Sequence, residues 1–158
     1  MKKWIVDNHY ILSDDVSVYI KNSKSFHFDM SITAVKICSI IDHLVINLKS
    51  EKECSFYSVD SLPSNIDEKM LYSLIFKQNV FDREYKFKEF NYFINLDNKS
   101  EISYLKVLLL YYISFDKTGY FLSANGKWMI FINDGLMSID SADDENINKI
   151  KFVCDLFE

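Results

Sequence analysis

The sequence predicts an α+β domain: an antiparallel β-sheet with an N-terminal hairpin and a C-terminal meander, packed by about four helices. Three observations predict it. First, Asn125-Gly126 and Asp134-Gly135 separate three short runs dense in Ile, Phe, Leu and Trp. Such dipeptides are the strongest local hairpin signal, because both turn residues need positive φ. Second, helix-start residues stand ahead of segments whose apolar side chains recur at helical spacing. Third, the chain has 158 residues, 49% hydrophobic and 26% charged, with no internal repeat and no Pro- or Gly-rich linker, so residues 1–158 read as one domain.

From the N-terminus, Trp4 to Leu12 is rich in Ile, Val, Tyr and Trp. Ser13-Asp14-Asp15 is turn chemistry and Val16 to Ile20 alternates, which together predict a hairpin. Residues 31–49 admit two readings. Ile37, Ile41, Leu44, Val45 and Leu48 fall at helical spacing behind a cap at Asp29 or Ser31, which favours a helix, yet the run is β-branched enough to form two strands turning at Asp42-His43. Ser64-Asn65-Ile66-Asp67 fits a capping box with Ser64 as cap and Asp67 reaching back, and Pro63 marks the break before it. Residues 65–78 are then a helix with Ile66, Met70, Leu71, Leu74 and Ile75 as its apolar stripe. Phe81 to Leu96 is aromatic-rich and predicts one or two strands. Ser100 can cap a helix over residues 101–113 that is apolar nearly all round, hence buried. Tyr120–Ala124, Lys127–Asn133 and Leu136–Ile139 form the meander. Ser141-Ala142-Asp143-Asp144 opens a final helix striped by Ile147, Ile150, Val153, Cys154 and Phe157.

Composition removes several function classes. Three glycines and one proline leave no glycine-rich phosphate cradle and no proline-rich ligand segment. A net charge of −5, with Arg83 the single arginine, argues against direct nucleic-acid binding, which needs a basic face and guanidinium forks. Cys38, Cys54 and Cys154 are odd in number and widely spaced, so they read as core thiols in a reducing compartment. No apolar leader follows Met1-Lys2-Lys3, and the longest apolar run, Val107 to Ile113, is too short for a bilayer. A cytoplasmic protein with no membrane partner is expected.

The residues that carry chemistry are sparse. His9, His27 and His43 have no His or Cys at i+3 or i+4, so each reads as a structural histidine rather than a metal ligand. No nucleophile elbow, zincin, Walker or Rossmann pattern occurs. Asp140, Asp143, Asp144 and Glu145 lack the glycine of a calcium loop, and helix N-termini favour acids without a metal. No enzyme, cofactor or metal is expected. The charge is uneven, however: residues 134–158 hold seven acids against two lysines, and residues 1–133 cancel, so the whole net charge lies in the last segment.

The block Gly119-Tyr120-Phe121-Leu122-Ser123, then Gly126-Lys127-Trp128 and a short acidic strand–turn–helix end, resembles small bacterial immunity proteins. These neutralise toxins delivered between neighbouring cells, as in contact-dependent growth inhibition. The resemblance spans residues 119–158 in detail and the rest in texture only, and it transfers no binding residue by motif. It implies a single immunity-type domain that binds the C-terminal domain of a cognate toxin, often a basic nuclease, and covers its active site or a nearby surface; a homodimer stays open. On charge and aromatic content, the expected toxin-binding residues are Asp134, Asp140, Asp143, Asp144 and Glu145. Trp128 and Tyr120 are candidate anchors, with core packing as their simpler role. Another non-catalytic interaction module, a phage-encoded inhibitor or an adaptor, is the second reading. An enzyme assembled from scattered residues such as His9, Asp42, His43 and Tyr92, or a small-ligand pocket among the aromatics, completes the set.

Overall fold

The structure, a computed structural model, describes residues 2–14, 17–28, 34–47, 53–61, 65–76, 87–134 and 136–157. Its elements run α1 (Lys2–Asp7), β1 (Ile11–Leu12), β2 (Val18–Tyr19), β3 (Lys24–Phe28), α2 (Ala34–Asn47), β4 (Glu53–Ser61), α3 (Ile66–Phe76), β5 (Phe87–Asn95), α4 (Lys99–Ser114), β6 (Gly119–Ser123), β7 (Trp128–Asn133), β8 (Leu136–Ser141) and α5 (Asp144–Phe157). The fold is α+β, as the sequence predicts. Six antiparallel strands form one sheet in the order β3-β8-β7-β6-β4-β5, and β1-β2 form a separate small sheet.

Strand alternation gives the sheet two apolar faces. Phe56, Phe121, Trp128, Ile130, Met137, Ile139 and Phe28 point to the first face, where Ile40, Ile41 and Leu44 of α2, Leu105, Leu108, Leu109 and Tyr112 of α4, and Ile150 and Val153 of α5 complete the main core. Tyr57, Tyr120, Leu122 and Met129 point to the second face, covered by Ile5 of α1, Tyr10, Val18 and Ile20. Gly119 allows the helix layer to close on the sheet: a Cβ there would stand 3.0 Å from both the Phe56 and Tyr112 rings.

The meander, α4 and α5 lie where the sequence places them, and residues 34–47 are helix, not two strands. The N-terminal hairpin is present but short: β1 and β2 pair antiparallel, Ile11 opposite Tyr19 and Leu12 opposite Val18, in a sheet of their own outside the main one. Its first part is corrected, since Lys2–Asp7 is helical and burial of Ile5 under the second face overrides the β-propensity of Trp4-Ile5-Val6. The helix ends in a Schellman motif with His9 at φ 68, His9 N–H on the Val6 carbonyl (3.0 Å) and Tyr10 N–H on the Ile5 carbonyl (3.1 Å). β4, a nine-residue inner strand that the sequence analysis left unassigned, pairs along its length with β5.

Three caps also move. Asn65 caps α3 through its Oδ1 on the Glu68 N–H (2.8 Å), and Ser64 lies outside the described residues. Asn98, two residues before Ser100, caps α4. Asp143 caps α5 by accepting from the Asn146 N–H (3.1 Å), while Ser141 braces it by donating to the Lys127 carbonyl (2.7 Å) and accepting from the Asp143 N–H (3.1 Å). At the β6–β7 turn only Gly126 has positive φ; Asn125 instead accepts the Lys127 N–H on its side chain (3.0 Å).

Candidate functional site

Helix α3 is built inside out relative to the predicted stripe. Ile66, Met70, Leu71 and Leu74 are 61%, 57%, 44% and 73% exposed, and only Ile75 of the five turns inward. At 100° per residue, Ile66, Met70 and Leu74 form one ridge, while Glu68, Tyr72 and Ile75 occupy the opposite arc. The inward arc faces α4: Tyr72 meets the Tyr111 ring edge-on at 6.3 Å, and the Tyr104 hydroxyl reaches the Ile75 carbonyl at 3.5 Å. Val107, one turn from both Tyr104 and Tyr111, is 45% exposed on α4.

The same inward arc carries a buried ion pair. Glu68 is 2% exposed, and the Lys117 ammonium, on an 8% exposed residue just past α4, stands 2.6 Å from its Oε1. The Tyr111 hydroxyl donates to the same oxygen at 3.4 Å. The sequence analysis missed both charged residues. The available signal was that Glu68 lies at i−4 and i−7 from Tyr72 and Ile75, so α3 carries two candidate stripes and one of them includes a carboxylate.

The acidic end does not form one patch. Asp134 is exposed in the β7–β8 turn at φ 50. Asp143, Asp144 and Glu145 lie beyond the other end of β8, a strand of six residues spanning about 20 Å. Asp143 is committed to its cap and to Lys127 Nζ at 3.5 Å, and Glu145 to Lys149 Nζ at 2.6 Å, which leaves Asp144 the exposed acid there with no ion pair among the described residues. The Asn146 N–H and then Lys127 hold the Asp143 carboxyl below the usual range.

Asp140 points to the second face of the sheet, 8% exposed, in a tile with Ser138, Ser25 and His27. Burial pushes its carboxyl above the usual range, against the lowering effect of hydrogen bonds from Ser25 and Ser138 (3.2 Å) and of His27. Trp128 and Tyr120 are corrected as surface anchors. Trp128 is 3% exposed on the first face, beside a cavity of about 10 Å³ bounded by Ile41, Leu44, Val45, Leu96 and Leu105, and its Nε1 has no partner among the described residues. Tyr120 is 5% exposed, stacked on Phe131 at 5.0 Å.

The scattered residues considered for an enzyme do not meet. His9 ends α1 on the second face, and His43 and Asp42 sit on α2 over the first, with Asp42 paired to Lys106 at 2.6 Å; the side chain of Tyr92 lies outside the described residues. Among the described residues no three of His, Cys, Asp and Glu converge to hold a metal, no disulfide joins Cys38, Cys54 or Cys154, and no helix is long and apolar enough to cross a membrane. Comparison of the chain with known protein families, with curated proteins and with solved structures gives no match.

Proposed function

We propose that the protein is an immunity-type inhibitor that binds a cognate bacterial toxin through the outward face of α3, closing the toxin's active site or a surface beside it. The observation that carries the reading is the exposed ridge of Ile66, Met70 and Leu74, with Leu71 at its flank. Burying such a side chain stabilises a fold by about 1.5–3 kcal/mol, so holding three of them more than half in water forfeits roughly 3 kcal/mol. Apolar ridges of this kind mark protein interfaces. The chain's net charge of −5 favours a basic partner, with Asp134 and Asp144 as exposed acids that add to its long-range attraction. The choice of a toxin rests on the resemblance in residues 119–158.

The test is co-expression with the product of the gene immediately upstream. Growth should be rescued by the parent and lost with Met70→Lys/Leu74→Lys, at unchanged melting temperature. Rescue that survives the double substitution overturns the docking face, and a parent that never rescues overturns the toxin reading.

A further inference from the structure

The main sheet ends in β3, a strand of five residues, Lys24-Ser25-Phe26-His27-Phe28, with β8 on one side and no strand on the other. The direction of its backbone groups follows from the β7–β8 hairpin. Asn133 and Leu136 face each other across the turn as its closing, hydrogen-bonded pair, and alternate residues of an inner strand bond alternate neighbours. Leu136, Ser138 and Asp140 therefore bond β7, while Met137, Ile139 and Ser141 bond β3 through Phe28, Phe26 and Lys24. Ser25 and His27 are left to turn their N–H and C=O groups away from the sheet, and among the described residues those groups meet no backbone partner. Folds normally blunt such an edge with proline, a bulge or charge. β3 has no proline, its register to β8 is unbroken, and its one lysine stands at the end.

The strand complements a second copy of itself. Set antiparallel about a two-fold axis at Phe26, all five residues pair: Phe26 on the second copy's Phe26, Ser25 on its His27, and Lys24 on its Phe28. The Ser25–His27 pairs are the outward-bonding ones and supply about four backbone hydrogen bonds; the Phe26 pair is a close non-bonded one, where aromatic rings meet best. Moving the axis by one residue shortens the pairing and sets Ser25 on Ser25 or His27 on His27. Charge is complementary on the second face. Ser25 donates to buried Asp140, and the serine oxygen keeps a lone pair for the second copy's His27, which is exposed in the single chain. Carboxylate, hydroxyl and imidazole then stand in a row, with no like charges opposite. On the first face α5 packs over β3 and β8, so it would stand about two strand spacings, about 10 Å, from its copy, the separation of packed helices.

We infer that β3 is a homodimer edge, at which two chains join antiparallel about Phe26 into one continuous sheet. The inference goes beyond the docking reading and does not rest on it: α3 packs on α4 while α5 flanks β3, so the ridge of α3 is not part of this interface.

Sedimentation equilibrium on the intact chain, from about 1 µM to about 1 mM, spans the affinity of so small an interface. The average mass of the parent should rise from one chain toward two. Phe26→Lys sets two ammonium groups opposite each other and should weaken association by about tenfold or more, at unchanged melting temperature. Disulfide trapping at exposed positions reads the register without touching the core. Ser25→Cys chains mixed with His27→Cys chains should cross-link residue 25 to residue 27, with Cα atoms about 5.5 Å apart. Lys24→Cys chains alone, about 14 Å apart, should not. Peptide mass spectrometry identifies the joined residues.

A parent that stays a single chain at every concentration overturns the inference. So does a dimer that Phe26→Lys leaves intact, and so do residue 24 thiols that join as readily as the 25–27 pair. If Phe26→Lys melts below the parent, the trapping result decides alone. The docking reading fails separately, since growth rescue can be lost in a protein that still dimerises, and a protein that stays single can still need Met70 and Leu74 for rescue.

Discussion

Single residues join the N-terminal layer to the sheet. The Tyr10 hydroxyl donates to the Trp128 carbonyl at 2.7 Å and stands 2.9 Å from Ser123 Oγ, which itself accepts the N–H groups of Lys127 and Trp128 at 3.1 Å each. Tyr10→Phe should therefore cost about 1–3 kcal/mol, read by chemical denaturation, because the buried carbonyl keeps its desolvation penalty without its donor. Gly126 is tied to the same junction: its φ of 72 disfavours a side chain, and a Cβ would overlap the Asn8 carbonyl oxygen. Gly126→Ala should cost about 2–4 kcal/mol and loosen α1 from the sheet, seen as lost amide protection at Ile5.

Two acids should respond to pH with opposite sign. For Asp140, burial raises the carboxyl above its ordinary 3.8, so its contribution to stability is full below that value and is lost as pH rises through the raised one. Asp140→Asn should melt higher than the parent at pH 7, with the gap closing toward pH 3. For Asp143 the value is lowered, chiefly by the Asn146 N–H, so its contribution is present above 3.8 and is lost as pH falls through the lowered value. Asp143→Ala should cost about 1 kcal/mol at pH 7 and progressively less in acid.

At the scale of the element, α3 separates two kinds of apolar residue that its sequence does not distinguish. Substitution at the ridge should be nearly silent for folding: Met70→Lys or Leu74→Lys is expected within about 0.5 kcal/mol of the parent. Tyr72→Ala, on the inward arc at 2% exposure, should cost about 3 kcal/mol. A ridge substitution that destabilises by as much as Tyr72→Ala, measured by denaturant melts, means the observed orientation is not the one in solution. The capping boxes teach a related lesson. Ser64, Ser100 and Ser141 all looked like caps, but Asn65, Asn98 and Asp143 take the role for α3, α4 and α5 in turn, except that Ser141 stays on as a brace. Cap chemistry was legible to within two residues, because several polar residues cluster at each helix start and only the backbone path picks one.

For the whole molecule, the decisive length is the separation of its acids. Asp134 and Asp144 flank a strand of about 20 Å, more than twice the screening length of about 8 Å at physiological salt. Reversing each to Lys should slow association with a basic partner by its own small factor, and the double variant should show their product, read by stopped-flow mixing. A larger combined effect would mean the acids act as one patch. The same separation explains why the charge of residues 134–158, concentrated in sequence, does not become a flank in space: β8 and α5 carry consecutive acids to both ends of the sheet and, at Asp140, into its second face.

Local chemistry determined the fold class, the meander with its Asn125-Gly126 turn, and the helices at α4 and α5, and it favoured a helix at α2 over two strands, since turn φ, apolar period and capping act within a few residues. The tertiary structure alone decided that the first residues are a helical cap and not a sheet strand, that Trp128 and Tyr120 are core, and which arc of α3 meets water. Each of those outcomes depends on what lies opposite in space, and on the inward arc of α3 the ion-pair partner of Glu68, Lys117, is 49 residues away in the chain.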